Sequence, residues 1–287
     1  MPLVDIVLRT KDRPLFLARS LDDILAQEFT DWQLIVVNDG GDLAPVQEAL
    51  AARPGLAGRL TVVDLPESTG RGAAVNPGVK AGDSPLVTWH DDDDTWHPKF
   101  LSCTIAHLET TDDVAVAVRT EIVYERRVGD RLLETGREIF PKGMLETTYF
   151  DLLRFNHVVP ISVLYRREVH DRIGYTDPRL RSVMDWDFNL RLWLAGEVGF
   201  IPDVLAYWHQ RPDARGADGN SVIVERHSHV LHDRLVRNEA LRAYVHAHGP
   251  GDLLYLAKYV DERMQEIHTR LDRVQERYDE IGRLLQD

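Results

Sequence analysis

Asp91-Asp92-Asp93-Asp94 are four consecutive carboxylates in the stretch from Val87 to Pro98, VTWHDDDDTWHP, where they follow a short apolar run. Like charges this close repel one another, and a hard divalent cation with oxygen ligands is a natural compensation. The plainer alternative is a solvated loop in which Asp94 or Thr95 caps a helix starting near Pro98. Other polar clusters also end apolar runs: Thr10-Lys11-Asp12-Arg13 and Asn38-Asp39. His227, His229 and His232 are not read as a metal site, because spacings of two and three do not share one helical face. They are expected as solvated positions of a linking helix.

The elements that must position these groups follow from the apolar pattern. VDIVLR (Val4 to Arg9), QLIVV (Gln33 to Val37), LTVVDL (Leu60 to Leu65) and PLVTWH (Pro85 to His90) read as strands. A helix-type segment opened by Pro14 puts Leu17, Leu21, Ile24 and Leu25 on one face. Strands alternating with helices predict a mostly parallel sheet covered by helices, with ligands outside the carboxyl ends of its strands. Further on, VAVAV (Val114 to Val118), TEIVYE (Thr120 to Glu125) and HVVPISVLYRR (His157 to Arg167) are expected strands. Helices are expected at Tyr149 to Arg154 and from Trp186, with Asp185 as its N-cap. Arg211 to Ser221 reads as a mobile Gly- and Asp-rich loop.

The chain has 287 residues, 44% hydrophobic and 28% charged, enough for a large domain and an appendage. Its net charge of -13 argues against nucleic acid as a partner. The single cysteine, Cys103, excludes an intrachain disulfide and a cysteine zinc site, which suits a reducing compartment. The N-terminus lacks the pattern of a signal peptide, and no apolar run approaches the length of a membrane span. A cytoplasmic protein is expected, compatible with peripheral work at the inner face of a membrane.

Leu253, Ala257, Val260, Met264, Ile267, Leu271, Val274, Tyr278, Ile281 and Leu285 are spaced alternately by four and three residues. This heptad predicts a coiled-coil helix, with Val and Ile at its second core position speaking against a simple parallel dimer. Three segments are therefore expected: 1–210 catalytic, 211–250 mobile loop and linking helices, and 251–287 a heptad helix for homo-oligomerisation or tethering.

Two known families share parts of this pattern. Asp91 to Thr95 satisfies the DxDxT motif of the haloacid dehalogenase phosphatases, but that motif normally follows the first core strand, and three strand-like segments precede it here. Over most of the chain, to roughly His209, the sequence resembles the family 2 glycosyltransferases of the GT-A fold. The family's T-Y-N-R-type turn appears as Thr10-Lys11-Asp12-Arg13, and its V-D-D-G-S as Val37-Asn38-Asp39-Gly40-Gly41. Its N-x-G-x-x-x-A-R-N-x-G segment runs from Ser68 to Gly78, with Ser68 in place of the asparagine and Val75 in place of the arginine. D-x-D-D-x-W-x-P is Asp91 to Pro98, and DWDFNLRL (Asp185 to Leu192) matches the acceptor-side segment, with Met184 where the family often has glutamate.

The resemblance implies a metal-dependent, inverting glycosyltransferase using Mn²⁺ or Mg²⁺ and a UDP, dTDP or GDP sugar. Its acceptor would be a glycan or lipid-linked hydroxyl in polysaccharide or cell-surface glycan synthesis. Asp185 would be the catalytic base. Thr10, Asp12, Arg13, Asp39, Arg71, Asn76, Asp91 and Asp92 would bind the nucleotide, with Asp39 accepting the N3 proton of a uracil or thymine. Asp93, Asp91 and His209 would face the metal. A degenerate GT-A module that presents a coiled coil without turnover is the reading from another class.

Overall fold

In the computed structural model, which describes residues 1–144, 146–220 and 225–284, the first four apolar runs become strands of one sheet. These are β1 (Val4–Thr10), β2 (Trp32–Asp39), β3 (Leu60–Leu65) and β4 (Leu86–Asp91), parallel in the order β3-β2-β1-β4. β1 and β2 are buried almost throughout, as a parallel sheet covered on both faces requires.

The helices between them are α1 (Pro14–Leu25), α2 (Leu43–Ala51), α3 (Arg71–Ala81) and α4 (Phe100–Thr110). Pro14 stands at the start of α1, where its fixed φ favours the helix and its missing N–H costs nothing. Ile6 and Leu8 join Leu17, Leu21 and Phe100 in one core. Val7 points to the opposite face and meets α3. There a Cβ on Gly78 would stand 2.4 Å from Val7 Cγ1 and 2.8 Å from Val37 Cγ2, so only glycine lets α3 lie this close to the sheet.

The second half departs from the sequence expectation in three places. Val114–Val118 and Thr120–Glu125 are parts of one strand, β6 (Ala115–Val128), which forms a hairpin with β7 (Arg131–Phe140). The interruption at Arg119 is absorbed by register shifts against β9 (Val198–Gln210). His157–Arg167 shortens to β8 (Val163–Arg166), because Pro160 opens a 3-10 turn through Ser162. After the aspartates, β5 (Thr95–Trp96) pairs antiparallel with β9. α4 starts at Phe100 with Lys99 at its N-cap, so neither Asp94 nor Thr95 caps it.

The sheet runs β3-β2-β1-β4-β8-β6-β9-β5, with β7 beside β6. α5 (Tyr149–Arg154), α6 (Val169–Ile173) and α7 (Met184–Ala195) complete this half. α7 begins at Met184, so Asp185 lies in its first turn and is not the N-cap. That place belongs to Val183, held in the left-handed region at φ 59°, a strained conformation for a β-branched side chain.

The chain divides into two compact units, Met1–Asp233 and Arg234–Asp287. α8 (Arg226–His248) begins in the first unit, and its histidines differ from the solvated set expected. His227 is exposed, but His232 Nδ1 accepts from Ser182 N at 3.2 Å, and the buried His229 Nε2 has no hydrogen-bond partner among the described residues. The second unit contains α9 (Leu253–Leu284), on which the heptad positions from Leu253 to Ile281 fall; Leu285 and Ser221 lie outside the described residues. No helix among the described residues is long and apolar enough to cross a membrane.

Candidate active site

The parallel register sets Thr10 beside Asn38 and Arg9 beside Asp91, so the carboxyl ends of three adjacent strands meet. A cavity of about 550 Å³ opens over them. Thr10, Asp12, Arg13, Asp39, Arg71, Asp91, Asp92 and Asp93 all line it, which brings together eight residues drawn from four separate stretches of chain. Asn76, Asp185 and His209 are not part of that lining.

Arginines offset the mutual repulsion of the aspartates. Arg9 Nε donates to Asp91 Oδ1 at 2.6 Å, and its Nη1 reaches the Arg71 carbonyl at 2.5 Å. Thr10 Oγ1 and Arg13 Nη1 both donate to Asp92 at 2.8 Å, while Arg13 Nη2 donates to Asp93 at 2.6 Å. Burial pushes the Asp92 carboxyl up to about 6, although Arg13 opposes the shift. Burial acts on Asp93 as well, but the charges of Arg13 and Arg211 prevail and hold it below the usual carboxylate range. Asp94 is raised well above that range by burial and by the neighbouring Asp93 and Asp91. The four residues therefore differ: Asp93 is held as an anion, whereas Asp94 is a buried acceptor for His209 N at 2.8 Å.

Beneath Asp93 lies a network that the sequence did not announce. Arg211 is 1% exposed, and its guanidinium joins Asp93, Glu125 Oε1 at 2.6 Å and the Asp218 carbonyl at 2.7 Å. Arg19 also donates to Glu125, at 2.7 Å. Burial alone would raise Glu125, but hydrogen bonds from His209 and Arg19 bring it down to about 2. Asn220 Oδ1 accepts from Arg211 N at 2.7 Å, so the segment 211–220 is clipped to the site by buried polar groups. The expected mobile loop had no apolar anchor; its anchor is ionic.

Two of the expected site residues have other partners in the structure. His209 was expected at the metal, but Thr95 Oγ1 meets its Nε2 at 2.8 Å and Glu125 meets its Nδ1 at 3.0 Å, so neither nitrogen is open to a cation. Burial lowers its pKa. Asn76 was expected at the nucleotide, yet its amide bridges to Thr176, donating to the carbonyl at 2.9 Å and accepting from the N–H at 3.1 Å. It joins α3 to the segment before α7.

Asp39 lies at the other end of the cavity, where its carboxylate organises the turn before α3. Oδ1 accepts from Thr69 N at 2.7 Å and Thr69 Oγ1 at 3.1 Å; Oδ2 accepts from Ser68 Oγ at 2.8 Å and Gly70 N at 3.2 Å. These four donors fill the roughly four lone-pair sites of a carboxylate, so a base N–H must displace one, and a hydroxyl rotor yields most easily. Asp12, at φ 53°, accepts from Asp42 N at 2.9 Å and fixes the neighbouring turn.

Asp185 sits in the first turn of α7, where Asn156 Nδ2 donates to its Oδ2 at 2.6 Å. Burial raises its pKa, against the opposing charge of Arg9 and its own helix N–H groups. Asp91 and Asp185 both act electrostatically on Arg9, which lines the cavity and so links this carboxylate to it. Trp186 is 2% exposed and donates Nε1 to the Leu152 carbonyl at 2.6 Å, which makes it core. Asp187 pairs with Arg191 one turn on.

Among the described residues no three His, Cys, Asp or Glu side chains form a ready-made cage. Mg²⁺ is commonly held by one or two carboxylates together with substrate phosphates, and Asp91 and Asp93 offer hard oxygens to the same cavity. These two fit such an ion; His209 does not.

Comparison with known proteins bears on the fold and the family. The "Uncharacterized glycosyltransferase YwdF" of Bacillus subtilis is 33% identical over 219 residues, 75% of this chain and 78% of that protein. TarS 1-349 of S. aureus, solved in complex with UDP-GlcNAc, superposes with a TM-score of 0.60 at 18% identity over 76% of this chain. The mannosyltransferase PcManGT of Pyrobaculum calidifontis, solved in complex with GDP-Man and Mn²⁺, gives 0.54 at 18% identity over 75%. The matches cover only 61% and 59% of those two chains, and at such identity they show the shared GT-A fold. The family model "Glycosyl transferase family 2" matches residues 5–174, and with the YwdF relationship this places the chain in that family.

Proposed function

We propose that the protein is an inverting glycosyltransferase that moves a sugar from a UDP, dTDP or GDP sugar to a hydroxyl of a glycan or lipid-linked acceptor. The observation that carries this reading is the convergence of three strand ends on one cavity, with Asp39 at one end, three aspartates at the other and Asp185 beside Arg9. The nucleotide-sugar complexes of TarS and PcManGT support such a donor and leave UDP and GDP both open.

In this reading Thr10, Asp12, Arg13 and Asp39 surround the nucleoside, with Asp39 taking the base N–H when the Ser68 or Thr69 hydroxyl turns away. Arg71, Asp91 and Asp92 face the ribose and diphosphate. A Mg²⁺ or Mn²⁺ held by Asp91 and Asp93 would neutralise charge on the diphosphate. Asp185 accepts the proton of the acceptor hydroxyl as its oxygen bonds to the anomeric carbon. The bond from that carbon to the diphosphate breaks on the opposite face, and the nucleoside diphosphate leaves with the electron pair.

The test is a screen of nucleotide sugars for hydrolysis with Mn²⁺, Mg²⁺ or EDTA, following the first anomer released by NMR. One donor should be cleaved with inversion, only with metal; a retained anomer or undiminished turnover in EDTA would contradict it. We also place catalysis in 1–210 and self-association in 251–287. Supporting the latter, the heptad residues Ile267, Leu271 and Val274 are 49, 59 and 64% exposed in the single chain. Sedimentation equilibrium should show an oligomer that Ile267→Glu dissociates; a monomeric wild type would refute it. A cytoplasmic site of action, meeting its acceptor at the inner membrane face, accompanies this reading.

A further inference from the structure

The place of Asp185 depends on how α7 begins, and α7 begins from an unfavourable conformation. Val183, its N-cap residue, is held at φ 59° and ψ 15°, where a β-branched side chain is disfavoured. The Val183 carbonyl accepts from Asp187 N at 3.0 Å, so the backbone at Val183 sets the direction of the first turn and of Asp185 within it. Among the described residues no side-chain cap supports this start. A backbone of this kind persists only where its surroundings over-determine it.

Two elements supply those surroundings. One is α3: a Cβ on Gly72 would stand 2.6 Å from the Leu180 carbonyl oxygen and 2.8 Å from Met184 Cγ, so the helix lies against both flanks of the turn. The other is the start of α8, fifty residues on in sequence. Ser182 N donates to His232 Nδ1 at 3.2 Å, and Ser182 Oγ donates to Ser228 Oγ at 3.0 Å. Ser228 Oγ is itself 3.3 Å from the same Nδ1. Ser228 and His232 stand four residues apart and share one face of α8. A backbone N–H can only donate, so Nδ1 carries no proton and serves as an acceptor. Ser182 is buried and pinned through both backbone and side chain, one residue before the left-handed turn. Apolar packing on α3 excludes water from the turn, but only the bonds to α8 give it a fixed direction.

Resting on the reading of Asp185 as the base, we infer that His232 is a positioning residue for it: by accepting the Ser182 N–H, His232 holds the Val183 turn and so sets where α7 presents the carboxylate. The first turns of α8 then belong to the reacting half of the molecule and are more than a linker. Val183 is the element on which this control acts, because a residue at ease in that conformation would need no such support.

Two readouts on the full chain test this, one of them independent of turnover. Trp186 follows Asp185 and donates Nε1 to the Leu152 carbonyl, so its indole N–H signal in NMR, assigned with Trp186→Phe, reports the first turn of α7. The second readout is hydrolysis of the nucleotide sugar that the wild type cleaves, with kcat measured beside the affinity for its nucleotide. His232→Leu should move the indole signal and lower kcat by about tenfold to a hundredfold, the scale of a small misplacement of a reacting group, with nucleotide affinity unchanged. His232→Asn, whose amide oxygen can stand where Nδ1 stands, should restore both signal and kcat. Val183→Asn, which tolerates the left-handed region, should suppress the effect of His232→Leu in the double variant. An unmoved indole signal in His232→Leu overturns the proposal, as does His232→Asn as damaging as His232→Leu, or a double variant no better than the single one. A parallel fall in nucleotide affinity also overturns it, by showing a general loss of structure. A wild type that cleaves no donor contradicts the glycosyltransferase reading instead, while the indole signal still decides whether His232 holds the turn.

Discussion

Asp185→Asn is expected to lower transfer by about 10²- to 10⁴-fold, the usual contribution of a positioned general base, with nucleotide affinity unchanged. The substitution keeps the shape of the side chain and its place in the first turn of α7, but removes the basic oxygen. Asn156 donates to Oδ2 and so fixes the orientation of the carboxylate. Burial raises the carboxyl above its ordinary range, against the opposing charge of Arg9. Since the base must be ionised, the acid limb of the rate profile should rise with pH and lie above that of an exposed aspartate. Arg9→Met removes the opposing charge, so it should move this limb further up. Normal turnover in Asp185→Asn, measured beside unchanged nucleotide binding, would remove Asp185 from the mechanism.

Arg211→Ala should be the most damaging change to stability, costing about 3–5 kcal/mol, as expected when one partner of a buried ion pair is removed. The loss is double, because Asp93 and Glu125 both face the same guanidinium. Arg211→Lys should rescue little, since a single ammonium cannot reproduce three separate donations from a planar fork. Urea unfolding reads the difference, and a midpoint equal to wild type would show that the network contributes nothing net. The same network makes stability depend on pH. Glu125 falls from an ordinary 4.5 to about 2, so its contribution is complete above 4.5 and lost as pH falls through about 2. Asp92 shifts the other way, from 3.8 to about 6; what it contributes is complete below 3.8 and lost as pH rises through about 6.

The parallel half of the fold was legible because its strands are short apolar runs ended by turn residues, and strand ends are where such sheets bind ligands. Thr10, Asp39 and Asp91 could be placed from that rule and from the family pattern. The positions that hold the site together were not legible. Arg9 and Glu125 look like ordinary charged residues in strands, and Arg211 begins a segment whose composition suggested mobility. Their importance comes from pairing across 82, 86 and 118 residues of sequence, and local periodicity carries no information about such contacts. The partners of His209 and Asn76 were illegible for the same reason: contacts distant in sequence, not sequence neighbours, decide which way these side chains face.

The central claim is that the cavity over β1, β2 and β4 takes a nucleoside diphosphate together with a divalent cation. Isothermal titration of UDP, GDP and dTDP into the wild-type chain, with and without Mn²⁺, measures it most directly. One nucleotide should bind with Mn²⁺ and lose most of its affinity without it, and Asp93→Asn should abolish the difference. Failure of all three to bind, or binding indifferent to Mn²⁺, would contradict the account.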